Sequence, residues 1–373
     1  MQTIRSLFAG LDWLLLGCVL SLSLMGLVTM YSHTGDNTYL DRQVLWIGLA
    51  VAALLAALVP DYRFLRTSPA AFTSYVGIVL LLVLVLFVGS ITLGAQSRFD
   101  LGFFSIQPAD PAKLILVVVL AKYFAKRHEL IGDFTHILVS GLYTAVIGGL
   151  VIIQPDFGSA LIIAAIWFGM VMVAGIKARH LITVLGLGAI GFALLWQFGL
   201  YEYQKQRILT FLDPLSDIQG AGYNAYQSTV AVGSGELLGK GIGYGTQSKL
   251  LFLPEFQTDF IFAAYAEEWG FFGVVLLFTL FSAVIWRLIA HAAAGATNFE
   301  KLFTIGVALM LMSHFFVHIG MNVGLLPVTG LTVPFLSYGG SHLLTTYIAL
   351  GMVMSMRRNA PVRITSDDSI IGG

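Results

Sequence analysis

Between Leu11 and Arg357 the sequence returns ten times to an apolar run of about 20 residues, the length a helix needs to cross a hydrocarbon core of about 30 Å. In that solvent every backbone N–H and C=O must find a partner within the protein, which selects helices over open strands. The runs lie near residues 11–31, 44–60, 72–94, 111–126, 136–153, 157–176, 181–200, 259–290, 301–325 and 339–357. Composition agrees, with 57% hydrophobic and only 11% charged residues and a mean hydropathy of +0.86. The expected fold is an all-α polytopic membrane protein of about ten transmembrane helices, with a large extracytoplasmic loop between helices 7 and 8.

Residues 1–358 read as one transmembrane domain, residues 201–258 as its large loop and residues 359–373 as a flexible polar tail. The first helix reads as uncleaved, because no small-residue cleavage site follows the opening residues. The formal net charge of zero gives no basic footprint for nucleic acid. A single cysteine, Cys18, excludes an internal disulfide and a cysteine-based metal cluster. Loops holding Arg63, Arg66, Lys126, Arg127, Lys177, Arg179, Arg287 and Lys301 alternate with loops poorer in basic residues, and Arg357, Arg358 and Arg363 follow the last run. By the positive-inside rule both termini are then cytoplasmic and the motif-bearing loops face outward.

Chemistry concentrates where the large loop re-enters the membrane, in LFLPEFQTDF followed by IFAAYAEEWG (Leu251–Gly270). Thr258 is placed to cap the following helix. Asp259 would then fall in its first turn, where the helix dipole favours an ionised carboxylate, a candidate general base; capping alone is the competing reading. Glu267 and Glu268 lie about two turns further in, where a carboxylate needs a partner or a wet cavity. Adjacent helix positions point about 100° apart, so one is expected to line a site and the other to pair with another helix.

The glycine-rich GSGELLGKGIGYG (Gly233–Gly245) fails as a nucleotide loop on spacing, and no strand precedes it. It reads either as turn structure or as a loop whose amides and Lys240 meet a phosphate. In QPADPAK, Asp110 and Lys113 can share a helix face, as an orienting ion pair or as a cation facing a lipid phosphate. In QPDFGSA, Asp156 is placed to cap a helix. His314 and His318, four apart, suit interhelical hydrogen bonds better than a metal. QRILTFLDP (Gln206–Pro214) reads as an amphipathic helix on the membrane surface, with Ile208, Leu209, Phe211 and Leu212 as its apolar side. Arg42, Arg98, Lys113, Arg207 and Lys240 all fall on the outward side against the usual charge bias, which points to an anionic, diphosphate-like ligand there.

These motifs, together with RQVLW (Arg42–Trp46), GAGYNAYQS (Gly220–Ser228) and GMNVGLLPVTGLTVPFLSYGGS (Gly320–Ser341), resemble in order and spacing the SEDS family (shape, elongation, division and sporulation) over nearly the whole chain. PVTG (Pro327–Gly330) and QRILTFLDP resemble the RodA branch, of elongation, more than the FtsW branch, of division. The sequence departs from the family pattern at Asp110, where Glu is usual, at Gln257, where His is common, and at His318 and His342.

The resemblance implies ten helices and a membrane glycosyltransferase of the bacterial inner membrane that polymerises lipid II on the outer face. It implies that Asp259 is the catalytic residue, taking the proton of the acceptor's 4-hydroxyl while undecaprenyl diphosphate leaves. On this reading Lys113, Arg207, Lys240, Arg42 and Arg98 face the diphosphate, and Asp110, Asp156, Glu267 and Thr258 support the site. The resemblance further implies a divalent cation, Mg or Mn, no nucleotide, a class B penicillin-binding protein as partner and other elongation-complex membrane proteins. A lipid II flippase, a non-catalytic scaffold and a division-type polymerase are the competing readings.

Overall fold

The computed structural model of the protein describes residues 10–32, 38–92, 95–100, 102, 104–127, 133–213, 221–250, 252–253 and 255–358. The expected tail at 359–373 lies outside the described residues, as do 214–220 of the large loop and the first nine residues.

Among the described residues ten long helices make the bundle: α1 (Trp13–Ser32), α2 (Thr38–Ala57), α4 (Ala70–Val88), α5 (Ala109–Lys126), α6 (Phe134–Ile153), α7 (Phe157–Ala174), α8 (Ala178–Leu194), α12 (Ile261–Ala294), α13 (Asn298–Asn322) and α14 (Gly340–Arg358). Eight are long and apolar enough to cross a membrane. The other two, α5 and α14, carry more polar residues and are buried along most of their length, so protein rather than lipid meets their polar groups. A short helix, α3 (Phe64–Thr67), links α2 to α4.

Packing explains the order of the helices. α13 is flanked by α12, α5 and α7, α14 runs along α2, and α12 along α1. Close approach depends on small residues, as in other membrane bundles: a Cβ on Gly340 of α14 would stand 1.9 Å from the Trp46 indole of α2. α8 differs from its neighbours, since Val184 is its one buried residue and its last turn widens to a π-helix at Leu195–Gly199.

The expected span at 72–94 is shorter in the structure. α4 stops at Val88, Gly89 is extended (φ −65°, ψ 149°), and the chain enters a three-stranded antiparallel sheet of β1 (Ser90–Thr92), β2 (Ala95–Asp100) and β3 (Ser105–Ile106). Ile91 and Thr92 are apolar or β-branched enough to extend a hydropathy window, but their backbone is paired to Gln96 and Ala95, and a ladder satisfies the peptide groups as well as a helix does.

Among its described residues the large loop holds three helices, α9 (Glu202–Leu212), α10 (Ala221–Ser234) and α11 (Thr246–Lys249). On α9, Leu209 and Leu212 are exposed, Ile208 and Phe211 half-buried. The expected single helix at 259–290 begins later, at Ile261, and is broken at Gly270 (φ 62°, ψ −164°), a conformation open essentially to glycine alone. Into that break the Gly235–Gly243 loop inserts backbone first: Lys240 N–H donates to Glu267 O at 2.9 Å, Gly241 N–H to Glu268 O at 3.0 Å and Phe271 N–H to Glu236 O at 2.9 Å. The glycine-rich motif is thereby turn structure that plugs a helix break.

Candidate active site

Glu255 opens a tight turn in the left-handed region (φ 53°). Its carbonyl accepts the N–H groups of Thr258 at 3.1 Å, Asp259 at 3.0 Å and Phe260 at 3.4 Å. The expectation that Thr258 caps the helix and that Asp259 occupies its first turn is therefore corrected. The Thr258 hydroxyl donates to Glu255 O at 3.2 Å, and Phe260, whose apolar ring makes no capping hydrogen bond, precedes the helix. The curled turn holds Asp259 just outside the span, where the axial dipole does not govern it.

Two other segments fasten this turn. Asn322 Nδ2, at the end of α13, donates to Asp259 O at 3.0 Å, and Asn322 Oδ1 accepts the Ala263 N–H at 3.2 Å. Ser337 Oγ donates to Thr258 O at 3.0 Å and accepts the Val333 N–H at 2.9 Å, while Tyr338 N–H donates to Gln257 O at 2.8 Å. A small apolar cluster of Ala231, Leu253, Phe256, Phe260, Ala263 and Ala264 packs beneath it.

Burial pushes the half-buried Asp259 carboxyl up to about 6, and the neighbouring Glu255 carboxylate adds to the effect. The Arg207 and Arg98 guanidinium groups and a hydrogen bond from Thr258 oppose it. An acid raised toward neutrality, with cations near, has the character of a general base tuned for neutral pH. Position 330, where Gly330 has φ +70°, is so close that a Cβ would stand 3.5 Å from Asp259 Oδ2.

Beside it lies a small cleft of about 50 Å³, lined by Asp156, Tyr203, Gln204, Arg207, Val328 and Thr329 among others. Arg207 lies 5.8 Å over the Tyr203 ring and its Nη1 is 3.5 Å from Val328 O. Asp156 caps α7 through Ser159 N–H at 2.9 Å and also accepts from Gln107 Nε2 at 2.6 Å, which stitches QPDFGSA to QPADPAK. Gln107 in turn is held by Ser341 Oγ at the start of α14, and Gln204 of α9 donates to Pro155 O at 3.3 Å. Segments scattered from residue 98 to residue 341 thus converge at one end of the bundle.

The remaining candidates are distributed around this core. Lys113 is buried and donates to Asp110 Oδ1 at 3.1 Å, with His342 Nδ1 3.6 Å from the same oxygen. Lys240 is engaged by Glu267 Oε1 at 2.7 Å and by Thr246 Oγ1 at 2.8 Å. Glu267 also accepts the N–H groups of Thr246 and Gln247, and Glu268 accepts that of Gly243 at 2.8 Å. The expected division of labour between the two glutamates is corrected: both are taken up by the inserted loop, which reaches around the helix break. Arg42 is half-buried on α2, beside Gln43, whose amide donates to Ser337 O at 3.2 Å. His314 and His318 pair through Nδ1 with Thr332 O at 3.3 Å and Leu331 O at 2.6 Å; the expectation of interhelical bonds is corrected, since both partners are backbone carbonyls of the segment between α13 and α14. Among the described residues no three His, Cys, Asp or Glu side chains are arranged to hold a metal ion.

The family model described as "Cell cycle protein", covering FtsW, RodA and SpoVE, matches residues 4–361. The chain belongs to the SEDS family. A probable peptidoglycan glycosyltransferase FtsW of Thiomicrospira cyclica is 36% identical over 360 residues, covering 92% of this chain and 91% of the relative. Peptidoglycan glycosyltransferase MrdB of Escherichia coli K12 is 35% identical over 349 residues, covering 93% of each. Among solved structures, a chain described under "Structural coordination of polymerization and crosslinking by a peptidoglycan synthase complex" matches with a TM-score of 0.80 and 34% identity, over 94% of this chain and 98% of that one. The Thermus thermophilus rod shape determining protein RodA matches with a TM-score of 0.70 and 32% identity, over 94% of this chain and 97% of that one.

In this SEDS chain, sequence reasoning passed over three residues that build the site. Glu255, inside LFLPEFQTDF, carries no local cue to its role, yet it shapes the turn and raises Asp259. Asn322 and Ser337 went unremarked. A lone Asn at the end of an apolar helix is a signal in itself, because a polar side chain at that depth needs partners.

Proposed function

We propose that the protein is a peptidoglycan glycosyltransferase that polymerises lipid II on the extracytoplasmic face of the bacterial inner membrane, with both termini cytoplasmic. The observation that carries this reading is Asp259: a carboxyl raised to about 6, held rigidly just outside the span and close to two arginines.

Asp259 acts as the base, taking the proton of the acceptor's 4-hydroxyl as that oxygen attacks the donor's anomeric carbon from the face opposite the diphosphate. The bond from that carbon to the diphosphate oxygen breaks, a β-1,4 bond forms and the diphosphate carries away the electron pair. Arg207 and Arg98 stabilise the charge that collects there, where preorganised cations act most strongly. Lys113 and Lys240, each ion-paired, hold the surrounding segments in place, and Arg42 is assigned to the outer rim. Glu255 and Asp259, two carboxylates that act on one another, would hold the divalent cation, Mg or Mn, that the resemblance implies, and it would supply positive charge at this site.

The same reading gives the chain a class B penicillin-binding protein as partner, beside other elongation-complex membrane proteins. PVTG and QRILTFLDP favour a role in elongation. Relatives named FtsW and MrdB match with nearly equal identity, which makes division the second reading; complementation of strains depleted of one or the other polymerase separates the two.

Polymerisation of purified lipid II tests the proposal, using wild type, Asp259→Ala and Asp259→Asn, each with a cognate penicillin-binding protein whose transpeptidase serine is disabled. Glycan from wild type alone is the expected result. Glycan from all three removes Asp259 as the base. Glycan from none, with lipid II translocation in liposomes, replaces the enzyme by a flippase.

A further inference from the structure

At the far end of α12 from Asp259, three spans end on one carboxylate. Asp12, just ahead of α1, is buried. Its Oδ2 accepts from Arg287 through Nε at 2.8 Å and Nη2 at 2.6 Å, and from His291 Nε2 at 2.6 Å. Its Oδ1 accepts the Leu15 N–H at 3.1 Å. These donors outweigh the cost of burial and hold the Asp12 carboxyl below its ordinary range. The carboxylate is thereby fully used.

A second arginine nevertheless stands on it. Arg357 Nη1 is 3.6 Å from Asp12 Oδ2, and half of the Arg357 side chain is exposed. His291 Nε2 lies 3.1 Å from the same Nη1, but a ring N–H given to Asp12 leaves no lone pair there for Arg357. Arg357 therefore presents its donors outward. Next to it, Arg358 reaches Val59 O at 3.4 Å, and Arg63 pairs with Asp61. Four guanidinium groups thus meet the carboxylates of Asp12 and Asp61, with Glu300 of α13 acting on Arg63, which leaves a local surplus of positive charge.

The surplus sits at a depth marked by indoles. Trp13 opens α1 and is 61% exposed, Trp286 is 59% exposed, and the Arg287 guanidinium lies 5.6 Å over the Trp286 ring. Exposed tryptophans near span ends settle at the level of lipid headgroups, and basic groups between helices at that level suit phosphate headgroups. We propose that this patch binds the phosphodiester of an anionic phospholipid in the adjacent leaflet, with Arg357 and Arg287 as charge-assisted donors and Trp286 along the glycerol region. The ligand chemistry is a phosphate, and its source is the lipid rather than free phosphate. Tying the ends of α1, α12 and α14 to the bilayer would fix the helix that carries the catalytic turn at its other end.

Native mass spectrometry of the full chain released from detergent tests this, titrating phosphatidylglycerol, phosphatidylcholine and, separately, inorganic phosphate as a competitor. Wild type is expected to retain phosphatidylglycerol in preference to phosphatidylcholine. Arg357→Gln is expected to weaken that binding about fivefold, and Arg357→Gln with Arg358→Gln more, the worth of cations near an anionic surface; Arg179→Gln, an equal loss of charge elsewhere, leaves it unchanged. Equal retention of the two lipids by wild type overturns the proposal whatever the variants do. So does a double variant that binds like wild type, and displacement of the lipid by equimolar phosphate would assign the patch to a soluble anion instead.

Discussion

The side-chain amide of Asn322 donates to the backbone carbonyl of Asp259 at 3.0 Å, so the last residue of α13 fixes the peptide that carries the proposed base. The same side chain satisfies Ala263 N–H, one of the orphan donors in the first turn of α12. It also accepts from Ser228 of α10 at 3.3 Å. One amide thus joins the turn that carries Asp259 to three helices.

Asn322→Ala is expected to leave buried donors and acceptors unpaired and to cost about 1–3 kcal/mol of stability. It should also lower polymerisation about a hundredfold, since a catalytic group misplaced by about 1 Å loses that much. Asn322→Asp restores an acceptor for Ala263 but sets a carboxylate against the Asp259 carbonyl, and is not expected to rescue activity. Thermal melting in detergent and lipid II polymerisation, run on the same preparations, check both effects.

Lys240 separates a structural from a substrate role. Its ammonium is bound by the buried Glu267, and removing one partner of such a pair strands the other. Lys240→Met is expected to lower the melting temperature and to expose the Gly235–Gly243 loop to limited proteolysis. An unchanged melting curve with a raised KM for lipid II would instead place Lys240 on the diphosphate.

The bundle was legible in the sequence because lipid imposes one rule on every span, and a run of about 20 apolar residues has few other uses. What stayed hidden was where helices stop. Ile91 and Thr92 belong to a hydropathy peak yet form a strand, and Thr258 looks like a cap yet lies inside a turn. The strand is set by hairpin pairing, Ile91 to Gln96 and Thr92 to Ala95, and the Thr258 turn by the Glu255 carbonyl and the distant Ser337 hydroxyl, partners that a hydropathy or capping pattern does not name. Asp259 itself was legible as a candidate base, but the sign of its shift was not. The positive helix end expected to keep it ionised is displaced by the Glu255 turn, and burial decides instead.

Asp110 and Lys113 form a pair with both side chains buried. Lys113→Met alone, or Asp110→Leu alone, is expected to cost about 3–5 kcal/mol, because each strands a buried charge, whereas the double variant should regain most of that loss. The activity of the double variant then decides the role of the pair. Stability and polymerisation restored together assign it to orienting α5; stability restored without polymerisation assigns Lys113 to the substrate.

The expected pH profile follows from the two carboxylates of the turn that carries the proposed base. In the folded chain Asp259 is raised from 3.8 to about 6, by burial first and by Glu255 second. The folded chain therefore holds this proton to a higher pH than the unfolded chain. The shift costs nothing below about pH 4 and costs its full amount of stability above about pH 6. Activity runs the other way, since the base works only when ionised: kcat/KM for lipid II is expected to rise tenfold per pH unit below about 6 and to level off above it. Glu255→Gln removes the like charge and leaves the burial, so the midpoint should move down without reaching the ordinary aspartate range. A profile that keeps its midpoint in that variant, with Asp259→Asn inactive at every pH, would keep Asp259 as the base and leave burial alone as the cause of its shift.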